Sequence, residues 1–218
     1  RALATILKTD DSRISFQKSI ASAAASFAYG YDWKSSQKNK VVVAESEEHN
    51  VFVSLLRVSQ VLDLEFEVIP VDDDGILNLE DIGNAIDKRT GIVAVSHVTP
   101  GLGNINPVHE ISQIAEENNA LLLTDASRSI GFIEFKIADI PADIILFSSN
   151  IRFLKPPGLA LQCQTSDISD DYVPGIVGGS AVTEVGNESF RTSKSPHKFE
   201  SDTLNLHGRT RQSRQPGQ

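Results

Sequence analysis

Apolar and polar positions along this chain fall into two alternating patterns. Short unbroken apolar runs occur at 41–45, 91–97, 120–125, 143–148 and 159–163. Runs without polar alternation read as strands buried on both faces, the habit of parallel α/β sheets. A shorter run at 13–16 also reads as a strand, and 64–69 alternates in part, as a strand nearer a sheet edge does. Between them the period lengthens to that of a helix. The segments 19–27 (Ala-rich), 50–61 and 77–86 carry this spacing. Pro107 opens a further helix, with Val108, Ile111, Ile114 and Ala115 on one face. The first residues of the chain are helix-like, and Asp72-Asp-Asp-Gly75 is a turn by composition. Beyond Thr165 turn residues dominate, among them Gly175, Gly178, Gly179 and Pro196, and no internal repeat is visible. Strand and helix in alternation predict an α/β fold: a three-layer α/β/α arrangement around a mixed, mostly parallel sheet.

Right-handed crossovers place His49, His97, Asp125 and Ser148 near one sheet edge, because each lies at or just past a strand's C-terminal end. Ligands of such sheets bind outside that edge. The run ending at Asp125 is the most informative, since it delivers a carboxylate and then small residues to the edge. A carboxylate there can salt-bridge a cationic ring nitrogen, as pyridoxal phosphate (PLP) requires. It can equally cap the following turn.

Composition narrows the function classes. The 218 residues include 20 basic and 29 acidic ones, a formal charge of −9, with no basic stripe in the folded part. Sequence-independent nucleic-acid binding, which needs clustered Lys and Arg, is therefore not expected. At 40% hydrophobic the chain can bury a proper core. The lone Cys163 excludes an internal disulfide and a multi-cysteine metal site, and its apolar setting reads as a buried strand residue. No apolar run approaches a membrane span and no signal-peptide pattern opens the chain, so a cytoplasmic protein is the default. The five histidines show no metal-ligand spacing. Gly101-Leu-Gly103 lacks a dinucleotide loop's third glycine, and Ser148 has no triad partner in the sequence. The chain contains no Met and is expected to be an excerpt of a longer protein. Residues 209–218, polar and apolar-free, are expected to be a disordered tail after a single unit over 1–208.

An ordered series runs through the chain: Glu48-His49-Asn50, Ser96-His97-Val98-Thr99, Asp125 with Arg128, Phe147-Ser148-Ser149, Gly178-Gly179, and Phe199 to Asn205. In order and spacing it resembles class V of the fold-type-I PLP enzymes, in the cysteine desulfurase and selenocysteine lyase branch. The resemblance covers about 1–208 and implies most of the family's large domain, with a seven-stranded type of sheet, lacking the N-terminal arm and C-terminal small domain. It implies PLP as cofactor, an amino acid as substrate, and a dimer with a second copy or a related subunit. His49 then stands for the histidine stacked on the pyridine ring, and Asp125 for the aspartate paired with the ring nitrogen. Ser148 stands for a phosphate-binding serine, and Thr203 for a threonine reaching the partner subunit's phosphate. The desulfurase thiol belongs to the absent part, so Cys163 does not inherit its role.

The chain also departs from that pattern. Where the family has a His-Lys pair whose lysine forms the Schiff base, this sequence has Asn150 and Ile151. Arg152 cannot substitute, because a guanidinium stays protonated. Lys155 is the nearby amine, available only if the loop is shifted. Arg128 replaces the glutamine that bonds the ring hydroxyl and could serve a phosphate or carboxylate. Pro100 replaces an asparagine, and Ser19-Ile-Ala-Ser22 lacks two hydroxyls of the phosphate loop. Two functions are thus expected in competition: a PLP-dependent class V enzyme acting on an amino acid, aminotransferase- or cysteine desulfurase-like, with a displaced Lys155 or another rearrangement supplying the amine, or a non-catalytic homologue serving as a structural or dimer-partner subunit.

Overall fold

The computed structural model describes residues 2–134, 136–148, 159–164 and 172–202. The apolar runs become a seven-stranded sheet. Its strands are β1 (Ile14–Gln17), β2 (Lys40–Ala44), β3 (Glu65–Ile69), β4 (Thr90–Ala94), β5 (Leu121–Asp125), β6 (Ile144–Ser148) and β7 (Ala160–Gln164). Their spatial order is β1-β7-β6-β5-β4-β2-β3. Strands β2 to β6 pair in parallel, while β7 runs antiparallel to both β6 and β1. The sheet is therefore mixed and mostly parallel, and the partly alternating strand β3 does lie at an edge.

The unbroken apolar runs follow from burial on both faces. Val41, Val43, Ile92, Ala94, Leu123, Ile144 and Leu146 join a core that includes Ala23, Ala24 and Phe27 of α2 (Ile20–Gly30) and Val51 and Leu55 of α4 (His49–Leu62). Their neighbours Val42, Ala44, Val93, Leu122, Ile145 and Phe147 point the other way. These meet α1 (Ala2–Leu7), α5 (Leu79–Ala85) and α6 (Val108–Glu117). Side chains two apart share a face, so one continuous run feeds two cores and three layers result. A short helix α3 (Trp33–Ser36) leads into β2.

Local signals place the ends. Ser19 caps α2 by accepting the Ser22 N–H at 3.0 Å, and Asn78 caps α5 through the Glu80 N–H at 2.8 Å. The acidic turn closes on itself, as Asp72 accepts the N–H groups of Asp74 and Ile76 and Gly75 takes a φ of +73°. Cys163 is fully buried in β7, and burial pushes its thiol up to about 11.

The region beyond 172 is more regular than its turn-rich composition suggests. It contains a hairpin of β8 (Val182–Val185) and β9 (Phe190–Thr192). Its strands are three and four residues long and largely exposed, so the hydrophobic pattern does not reveal them. The segment from Tyr172 lies against α2: the Tyr172 hydroxyl donates to the Phe27 carbonyl at 2.5 Å, and the Gly175 N–H to that of Ser26 at 2.8 Å. A Cβ on Gly175 would sit 2.1 Å from the Cβ of Tyr29, which is why a glycine stands there. Among the described residues, no helix is long and apolar enough to cross a membrane.

Candidate active site

The turns after β2, β4 and β5 and the end of β6 meet at the carboxyl edge of the parallel strands, beside the N-terminus of α2. Chain order reverses there, with β3 on one side of β2 and β4 on the other, the arrangement that opens a ligand crevice. A cleft of about 320 Å³ lies at this edge. Asp125, Ser127, Arg128 and Ser148 form its sheet side, Glu48 and Asn50 its α4 side, and Lys18, Ser19 and Ile20 its α2 side.

Asp125 is the last residue of β5 and is 3% exposed. Its two oxygens do different work. Oδ1 accepts the Ser127 N–H at 2.6 Å, closing the turn that the sequence allowed for. Oδ2 is buried and has no hydrogen-bond partner among the described residues. Burial pushes this carboxyl up to about 6 against the lowering effect of the Ser127 bonds. Ser127 in turn accepts the Ser148 N–H on its hydroxyl at 2.8 Å, which ties the β5 turn to the end of β6. A rigid, dry carboxylate on the wall of a cleft of this size is suited to a cationic nitrogen in a flat ring.

Arg128 is 47% exposed and reaches Glu48 across the cleft at 3.8 Å. At this exposure the ion pair is a weak tether. The opposite wall is the first turn of α2, an 11-residue helix whose N-terminal dipole favours an anion. Lys18 adds a positive charge there, shared with Asp202.

Of the residues expected at the site, Asp125, Arg128 and Ser148 are brought together. His49 is not: it is the first residue of α4, exposed and outside the cleft lining, which its neighbours Glu48 and Asn50 supply instead. His97 is buried behind Asp125, its backbone N–H donating to the Asp125 carbonyl at 2.9 Å. Lys155 and Thr203, like Asn150 and Ile151, lie outside the described residues. Sequence reasoning missed Lys18 and Glu47. Lys18 stands one residue before a recognisable N-cap, so its nearness to a helix terminus was readable. Glu47 left no such signal, because a glutamate in a Ser-Glu-Glu run reads as solvated surface. It is 5% exposed. Among the described residues, no group of three His, Cys, Asp or Glu is placed to hold a metal ion.

Comparison with known proteins matches this architecture to one family. The model of the class-V aminotransferases covers residues 1–210. A probable cysteine desulfurase of Methanothermobacter thermautotrophicus is 30% identical over 94% of this chain and 51% of its own length. The apo structure of the cysteine desulfurase from Thermococcus onnurineus NA1 superposes with a TM-score of 0.83 at 27% identity, covering 97% of this chain and 53% of that one. The cystine C–S lyase C-DES, solved with its product cysteine persulfide, shares the fold at a TM-score of 0.82 and 18% identity, over 99% of this chain and 60% of its own. The chain belongs to the class-V aminotransferase family, with a cysteine desulfurase-like fold. It spans about half the length of the curated relatives it matches.

Proposed function

We propose that the cleft holds pyridoxal 5'-phosphate, with Asp125 facing the ring nitrogen and the first turn of α2 facing the phosphate. The observation that carries this reading is Asp125 on the cleft wall, buried and with its Oδ2 unpartnered among the described residues. When bound, this cofactor supplies an electron sink for an amino-acid substrate. The chain's own residues position it. The Ser127 N–H fixes the Asp125 carboxylate, the Ser127 hydroxyl anchors the β6 end, and Lys18 with the α2 dipole provides the anion site. Arg128 and Glu48 form a tether at the cleft wall that a ligand can displace or use.

Whether the site turns over substrate depends on an amine. Ile151 at the position of the family's lysine supports a non-catalytic homologue that keeps the fold and the cofactor cleft. Retention of Asp125, Ser148 and the cleft supports the other reading, a cysteine desulfurase-like transformation of an amino acid, with the amine supplied by Lys155 or by Lys18, which already lines the cleft. Of the two we favour the first, because Lys18 is shared with Asp202 at the phosphate end.

Equilibrium dialysis with PLP, then borohydride reduction and peptide mass spectrometry, separates these readings. Saturable binding without a reducible adduct is expected, reduced at least about tenfold in Asp125→Asn, the effect of losing a buried charge-assisted contact. A pyridoxyl adduct on Lys155 or Lys18 would move the conclusion to the enzyme. Absence of binding by the folded chain would remove the cofactor and the enzyme, leaving a structural or dimer-partner subunit. The dimer expected from Thr203 belongs to the same reading, and sedimentation with and without PLP tests it: a monomer in both conditions counts against it.

A further inference from the structure

Two carboxylates, not one, are buried at the carboxyl edge of the sheet. Glu47, in the turn between β2 and α4, is 5% exposed, and Asp125 is 3% exposed. Each has one engaged oxygen and one without a partner among the described residues. Glu47 Oε1 accepts the Ser96 hydroxyl and, at 2.8 Å, the Glu48 N–H. Its Oε2 and the Oδ2 of Asp125 are the unpartnered pair. A single dipeptide joins them. Ser96 holds Glu47 through its hydroxyl, and His97, the next residue, donates its N–H to the Asp125 carbonyl at 2.9 Å. Asn106 clasps the Ser96 carbonyl at 2.7 Å and so fixes the dipeptide.

The surrounding charges do not neutralise two anions. Arg128, the cation that acts on Asp125, is half exposed and shared with Glu48, whose carboxylate opposes ionisation of Asp125, and Lys18, the other cation on the cleft wall, is paired with Asp202. His97 is held toward its neutral form by burial and by His109. Glu45, on the same turn as Glu47, is exposed and accepts the Val71 N–H at 3.2 Å. Two ionised carboxylates in so dry a place repel each other and lose hydration, so one of them keeps its proton.

We propose that Glu47 and Asp125 work as one acid pair, with Glu47 neutral behind the cleft so that Asp125 alone offers a carboxylate to a cationic ring nitrogen. Glu47 does not line the cleft and is a positioning residue acting through Asp125. Burial first, and then the charge of Asp125, pushes Glu47 up to about 8, above the value near 6 reached by Asp125. Arg128 favours the charged form of Asp125, whereas no cation is among the described groups acting on Glu47, which sits away from the cleft; the proton therefore stays on Glu47 at neutral pH. The part of this inference that concerns the ring rests on the function proposed above; the shared proton does not.

Glu47→Gln retains an acceptor for Ser96 and removes the proton that titrates. In the wild type the folded chain holds that proton more tightly than the unfolded one. Stability must then fall as pH rises from the ordinary glutamate range toward 8. Melting of the ligand-free chain should show that Glu47→Gln abolishes most of this fall. The variant should match wild type near pH 5 and melt about 3 °C or more above it near pH 8. A penalty equal at both pH values is the signature of a hydrogen bond only and would overturn the pair. Infrared spectroscopy of the unaltered chain gives the same answer without a substitution. A protonated-carboxyl band should persist near pH 7, and its absence there overturns the proposal. PLP affinity near pH 7 should stay within about twofold of wild type in Glu47→Gln, whereas a tenfold loss, about 1.4 kcal/mol, would mean that Glu47 acts as an anion. If the wild type binds no PLP, the proposed function falls, and the melting and infrared results still decide the pair.

Discussion

The two ends of the parallel sheet treat buried charge in opposite ways. At the amino end, Lys40 begins β2 with its side chain 2% exposed, ringed by Glu67, by Asp87 at 3.3 Å and by Glu65 at 4.0 Å. Arg89 closes the ring from outside, at 2.5 Å from Glu65 and 2.8 Å from Asp87. Although burial works against it, hydrogen bonds from Arg89 and Lys40 hold the Asp87 carboxyl down at about 2. At the carboxyl end, Asp125 and Glu47 are more deeply buried than those acids, each keeps an unpartnered oxygen, and both are pushed up instead. Desolvation is unfavourable at both ends. At one end permanent partners within the chain offset it; at the other it is left standing. A buried charge that the fold fully compensates belongs to the architecture, whereas one left uncompensated beside a cleft marks where something else binds.

The contrast predicts effects of opposite sign. Lys40→Met should be the most damaging, because it leaves three converging carboxylates without their cation. A loss of about 3 kcal/mol is expected in urea unfolding near pH 7, toward the low end for a broken buried pair since the acids keep some solvent. A loss below about 1 kcal/mol would make the amino-end cluster an ordinary surface network and erase the distinction. The same cluster sets an acid limit. Asp87 is lowered in the folded state, so its contribution is complete above the ordinary aspartate value and disappears as pH falls through about 2. That decline should be shallower in Lys40→Met.

Asp125→Asn should act the other way on stability. The Oδ1 contact to Ser127 can persist, while a carboxylate whose folded value is raised to about 6 is gone. Wild type loses stability as pH rises between the ordinary aspartate value and that one. The variant should therefore be more stable by about 1 kcal/mol near pH 8, measured by the same unfolding experiment, while losing affinity for PLP. A variant equally destabilised at every pH would show that Asp125 serves only the turn. The smallest effect is expected at Arg128→Gln, within about 0.5 kcal/mol, because its partner is 3.8 Å away and its side chain half exposed.

Much of the architecture was legible before the structure. Continuous apolar runs at 41–45, 120–125 and 143–148 could be accommodated only between two layers, and the partial alternation of 64–69 placed it at an edge. Asp125 was legible for the same reason, as a carboxylate at the end of such a run. The hairpin of β8 and β9 was not, since strands of three or four mostly exposed residues carry no periodicity. Nor was the position of His49. Glu48, the N-cap of α4, and Asn50 line the cleft, whereas His49 opens the helix exposed and outside that lining.

By itself, then, the sequence determined the class of fold, the strands that build it and the carboxylate that the sheet carries to its edge. These follow from hydrophobic periodicity and the short-range rules of caps and turns, which act within a few residues. Only the tertiary structure decided that Glu47 is buried with Asp125, that Lys18 and Arg128 reach one cleft from distant segments, and that Lys40 is compensated where Asp125 is not. Those outcomes depend on which groups from remote parts of the chain exclude water together. Desolvation and charge pairing are properties of that assembled neighbourhood, not of any residue's sequence context.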